Sequence, residues 1–132
     1  MSVDESFFKS NWFRVNDEDA YKALTERLGI DCHDTYDPSD KTHSLSGYEF
    51  NFYEDKECRK PFDDPQDAFA KELLPLLPKD VFFSLTEAGH EGTRSVWSSV
   101  MVAGNGSIHY MTSSDTETLL RREIMRGSPW LL

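Results

Sequence analysis

The chain of 132 residues carries 24 acidic and 14 basic side chains, a net charge of −10, with 38% hydrophobic and 13% aromatic residues. That length fits one domain, residues 1–132, and is short for two ordinary ones, while the apolar content is too high for a disordered chain. An acid excess of this size repels nucleic-acid phosphates, which argues against direct nucleic-acid binding; it suits a basic partner or solubility alone. The excess is uneven: residues 1–55 hold 13 acids and 5 bases, whereas residues 93–132 hold 3 acids and 4 bases.

The opening stretch MSVDESFFKS has no basic region followed by an apolar run, and no stretch approaches 18 apolar residues. The sequence therefore shows neither a secretory signal nor a membrane span, and a cytoplasmic location is expected. In that compartment Cys32 and Cys58 are expected as free thiols.

In chain order, NWFRV at 11–15 reads as a strand. Asn16 or Asp17 then caps a helix whose Ala20, Leu24 and Leu28 recur every fourth residue, with Asp17, Glu18 and Asp19 at the positive end of its dipole and Gly29 at its stop. Residues 30–47 are polar, acidic and broken by Asp37-Pro38, and they read as a long adaptable loop. Tyr48, Phe50 and Phe52 alternate with polar residues, the pattern of a half-buried strand. Pro65 opens a second helix carrying Phe69, Leu73 and Leu77, which Pro75 should kink or end.

Strands follow at 80–88 and 93–103, with GHEG as the first turn. Asn105-Gly106 makes the second hairpin turn before SIHYM, because both central positions need positive φ. Trp97 on the middle strand is expected in the core. Ser114 and Glu117 form a capping box for a last helix, which Gly127 and Pro129 end. The order β-α-β-α-β-β-β-α predicts an α+β fold: a mostly antiparallel sheet of about five strands with helices packed on one face.

No constellation in the sequence commits to catalysis. Cys32, His33, His43 and Cys58 are zinc-ligand types, but their spacing makes no compact ligand pair, so neither a metal nor another cofactor is expected. The Gly clusters lie between strands rather than at strand-to-helix junctions, so they bind no phosphate. Neither thiol has a cysteine-protease signature, and no Gly-x-Ser-x-Gly elbow is present. The carboxylates fall on loops and helix starts, where solvated ions are the default. His90 and His109 read as structural polar positions.

SNWFRVNDEDAYKALTERLG and VFFSLTEAGHEGTRSVWSSVMVAGNG together resemble small uncharacterised acidic proteins of phages and mobile elements. Those proteins open with Ser-Asn-aromatic-Phe-Arg-Val and later carry an aromatic hairpin. The resemblance covers about half of the chain; residues 30–47 and the tail MRGSPWLL have no counterpart in it. It implies a genomic setting and no catalytic residues. Proteins of that setting often inhibit bacterial defence, as anti-CRISPR or anti-restriction proteins do, in some cases by mimicking nucleic acid.

The functional expectation is thus a non-catalytic acidic binding protein that inhibits a basic, nucleic-acid-handling effector or nuclease. A toxin-immunity protein and a small regulatory interaction domain are the alternatives. The binding face is expected from Asp17, Glu18 and Asp19 on the first helix and from Asp31, Asp34, Asp37 and Asp40 on the loop. Tyr36 would serve as an aromatic anchor, and Glu54, Asp55 and Glu57 would flank the face.

Overall fold

A computed structural model describes residues 4–28, 32–48, 53–55, 60–61, 65–92 and 95–127. Strand β1 (Asp4–Ser10) precedes helix α1 (Glu18–Leu28), and a hairpin of β2 (His33–Asp37) and β3 (Thr42–Gly47) follows. The short strands β4 (Tyr53–Asp55) and β5 (Lys60–Pro61) pair with each other, before helix α2 (Pro65–Leu73) and a 3-10 turn at Leu74–Leu76. The chain then forms β6 (Phe83–Glu91), β7 (Ser95–Gly104), β8 (Ser107–Thr112) and helix α3 (Ser113–Arg126).

The main sheet has six strands in the order β2-β3-β1-β6-β7-β8, every neighbouring pair antiparallel. The α+β class is as expected from the sequence; six strands rather than five follow from the extra hairpin. Phe8, Leu45, Phe83, Leu85 and Met101 line one sheet face, and α1 and α2 cover it with Tyr21, Leu24, Leu28, Phe69 and Leu73. Phe83 sits edge-on between Phe13 and Phe69, with centroids 4.9 and 5.5 Å away. Rings that meet edge to face attract through their quadrupoles as well as by burial, which suits an aromatic-rich core.

Helix α1 begins where the sequence places it. Asp17 accepts the Ala20 N–H at 3.0 Å, and Tyr21, Leu24 and Leu28 are its buried stripe. Pro75 lies in the 3-10 turn that ends α2, since proline cannot donate to the preceding helical turn. Asn105 and Gly106 both take positive φ, 48° and 77°, as the two-residue hairpin requires. Gly104 just before that turn is there for space: a Cβ on it would lie 2.4 Å from the Phe82 ring.

Five local expectations are corrected. The first strand lies at 4–10 rather than 11–15, because Asn11 ends the regular ladder and finishes it with its own side chain. Its amide donates to the Phe82 carbonyl and accepts the Ser84 N–H, both at 2.8 Å. Residues 33–47 are a β-hairpin rather than a loop. GHEG is not a turn, since Gly89, His90 and Glu91 continue β6 in register with Trp97, Val96 and Ser95. The capping box is Thr112 with Asp115 rather than Ser114 with Glu117. Finally, Trp97 is 39% exposed, so its ring is not a core ring. The expected strand at 48–55 lies partly outside the described residues: Tyr48 is exposed, and β4 covers only Tyr53–Asp55.

Candidate protein-binding surface

The acidic residues of α1 and β2 converge on one histidine. Pairing of β2 with β3 sets Tyr36 opposite His43 and Asp34 opposite Leu45. Residues directly opposite on an antiparallel pair share a sheet face, so Asp34, Tyr36 and His43 all point to the side that α1 covers. His43 is fixed further by the backbone of Phe13, which donates to and accepts from it at 2.9 and 2.8 Å.

Helix α1 brings the second carboxylate. Capping by Asp17 fixes the first turn, and Glu18 in that turn places Oε2 2.7 Å from His43 Nε2. On the other side of the ring, Asp34 Oδ1 lies 3.1 Å from Nδ1. His43 is only 7% exposed, whereas both carboxylates keep a solvent-facing side. Tyr21, Tyr36 and Phe13 complete a collar around the imidazole, with centroids 4.5, 4.8 and 6.0 Å from it.

This arrangement has definite chemistry. An imidazole can donate from both nitrogens to two carboxylates only as imidazolium; the neutral ring serves one of them. Charge-assisted bonds of this kind are about twice as strong as neutral ones. The clamp ties the start of α1 to the hairpin. In its fully bonded form it sets two carboxylates around one cation, so the cluster stays acidic, and the ring has no lone pair to offer as a general base.

Tyr21 adds an uncommon feature. Its ring is 2% exposed, and its hydroxyl has no hydrogen-bond partner of normal geometry. Burial first, and then the negative charge of Asp34, pushes its ionisation well above the usual phenol range, so the group stays neutral.

The remaining predicted residues divide by their use. Asp37 accepts the Ser39 N–H at 2.9 Å and so shapes the β2–β3 turn, where Lys41 takes φ 56°. Asp19 and Asp40 are exposed and make no hydrogen bond or ion pair among the described residues. Tyr36 is partly exposed although its ring packs on His43. The backbone of β4, which carries Glu54 and Asp55, lies beside α1. Asp31 and Glu57 fall outside the described residues, as does Cys58.

The structure thus brings Glu18, Asp34 and Tyr36 together around His43. It uses Asp17 and Asp37 locally and leaves Asp19 and Asp40 in solvent. His43 is the residue that reading the sequence for a binding face missed. Its signal was present: in THSLSG, His43 and Leu45 alternate with Thr42, Ser44 and Ser46. A histidine on the apolar side of a period-two stretch needs buried partners.

The half-buried side chain of Cys32 lies near Tyr21. Among the described residues, no group of three or more His, Cys, Asp or Glu is arranged to hold a metal ion. No helix among them is long and apolar enough to cross a membrane. No protein-family model matches the chain, and neither does any curated protein or solved structure.

Proposed function

We propose that this is a non-catalytic, cytoplasmic binding protein that inhibits a basic, nucleic-acid-handling partner. The resemblance to mobile-element proteins makes a bacterial defence effector the partner class, and the acidic edge stands in for phosphate. The observation that carries this reading is the clamp itself. Glu18 and Asp34, from separate elements, are held either side of His43 on the sheet edge that also presents Tyr36. Carboxylates fixed before binding lose less side-chain entropy on contact than flexible surface acids do. Engagement of both imidazole nitrogens supports a recognition role over base catalysis.

The test must leave the clamp intact, which excludes reversal at Asp34. Asp40→Lys combined with Asp19→Asn changes the charge of the edge without removing any hydrogen bond among the described residues. A partner captured from the native host should be a basic protein that handles nucleic acid. The double variant should bind it several-fold more weakly at low salt, with a flatter salt dependence and an unchanged melting temperature. Unaltered affinity, or a captured partner without a basic nucleic-acid site, overturns the proposal.

A further inference from the structure

The sheet face turned away from α1 and α2 carries a second surface of opposite character. Register along β1, β6, β7 and β8 places Phe7 beside Ala88, Val96 beside His90, Val100 between Thr86 and Met111, and Val102 between Ser84 and His109. Phe7 is 54% and Val96 82% exposed; Val100, Val102, Met111 and Phe82 are also exposed. Phe82 extends the patch by lying over Gly104, where no Cβ would fit. Ser84, Thr86, His90, Ser98 and His109 lie among these side chains, and this many large exposed apolar residues on one face marks a candidate contact surface.

Charge says what can cover it. The molecule carries −10, so two copies repel at most orientations. On this face the described side chains of β1, β6, β7 and β8 include no carboxylate, and their only full charge is Lys9. The backbone register sets Glu5 opposite His90 near the start of β1. The other carboxylates gather elsewhere: Asp34 is on the α1-covered side, and Asp37 and Asp40 lie at the β2 edge. A second acidic copy can therefore approach the centre of this surface without meeting a row of carboxylates.

Size sets the strength. Four strands about 4.8 Å apart, over about six residues rising about 3.3 Å each, project roughly 400 Å² per copy. Two such faces bury at least about 800 Å², below the range of stable interfaces and within that of weak, transient ones.

We infer that the chain self-associates through this face into a weak two-fold dimer, two sheets packing apolar side to apolar side. Their strands would run roughly parallel or antiparallel across the interface, tilted by about 30° as in sheet sandwiches. The acidic edges remain in solvent at the ends, so each dimer presents two of them. This inference does not depend on the proposed inhibitor role.

Sedimentation equilibrium of the full chain from low micromolar to near-millimolar concentration tests it. The average mass should rise from 15.2 kDa toward twice that value. Val96→Lys and Val100→Lys should each weaken association by more than about tenfold, since a two-fold interface meets every substitution twice. Val96 is so exposed that its replacement removes little packing, and far-UV dichroism checks that the variants fold. Ser98→Glu, on the same face, introduces charge without removing any apolar side chain and should act likewise. Met125→Lys, on the exposed side of α3, should leave the dimer intact. A wild-type chain that stays monomeric throughout overturns the inference. So does a dimer that survives the three sheet substitutions, or one lost with Met125→Lys.

Discussion

His43 and Tyr21 are two buried polar residues that the fold treats in opposite ways. His43 has both nitrogens satisfied and its ring packed on three aromatics. His43→Ala therefore removes the contacts of the ring with Glu18 and Asp34 and opens a cavity in the collar. It should lower unfolding free energy by about 3 kcal/mol, within the range for truncating a buried paired group. Tyr21 has an orphan hydroxyl in a site that penalises its charge. Tyr21→Phe keeps the ring and removes a desolvated group with no well-formed bond to lose, so stability should stay level or rise by up to about 1 kcal/mol. Urea unfolding of the two variants checks both signs. A Tyr21→Phe protein destabilised by more than about 1 kcal/mol would mean that the hydroxyl has a working partner, such as Asp34 or a bound water.

Among the elements, those at the periphery are held by local polar contacts rather than by burial. Helix α3 buries none of its residues, so its start matters more than its packing. Thr112 accepts the Asp115 N–H at 3.1 Å, and the Asp115 carboxylate accepts the Thr112 N–H and hydroxyl, each at 2.9 Å. The Thr112 backbone N–H first, and then its hydroxyl, hold the Asp115 carboxyl below the usual carboxylate range.

Because the folded form favours the ionised acid, the cap is fully present above the ordinary carboxylate pKa. It is lost as pH falls through that value toward the folded one. Asp67 behaves the same way, lowered by the Lys71 ammonium first and then by the Tyr110 hydroxyl, which links α2 to β8. Helicity should therefore fall on acidification below the ordinary carboxylate range, before the sheet unfolds. Thr112→Ala should cost about 1 kcal/mol and make amide exchange in α3 faster at neutral pH. Helix exchange that is insensitive to Thr112→Ala would place the stability of α3 in contacts beyond its cap.

Across the molecule, charge and apolar surface are segregated onto different parts of one sheet. Asp17, Glu18, Asp19, Asp34, Asp37 and Asp40 lie at the β2 edge and the start of α1, while β6, β7 and β8 present a nearly uncharged face. A net charge of −10 on a chain of this size is self-repulsive, and individual exposed pairs such as Arg27–Glu72 offset little of it. Raising salt from about 10 to 150 mM, where the screening length falls from about 30 to 8 Å, should raise the urea midpoint. A midpoint that falls instead would show that attractive pairs outweigh the net repulsion.

What depends on near neighbours in the chain could be read from the residues alone. The every-fourth-residue stripe of α1, the Asp17 cap, the stop at Pro75 and the Asn105-Gly106 turn all follow from backbone preferences within a few residues. The acidic character of the candidate face was equally legible, since charge is a property of composition.

Long-range contacts settled the remainder. HDTYD has no apolar alternation, and it is a strand because β3 beside it buries His43 and Leu45 and offers an unpaired edge. Composition cannot reveal that Asn11 closes the ladder of β1, because its partners Phe82 and Ser84 lie more than 70 residues away. The clamp is hidden in the same way: Glu18, Asp34 and His43 become one group only when α1 crosses the hairpin. The expectation that Trp97 is a core ring failed for the same reason, because alternation marks two faces of a strand and not how far a helix will cover either of them. Local chain chemistry sets the elements, whereas burial and charge pairing depend on contacts between residues far apart in sequence, and those exist only once the sheet has formed.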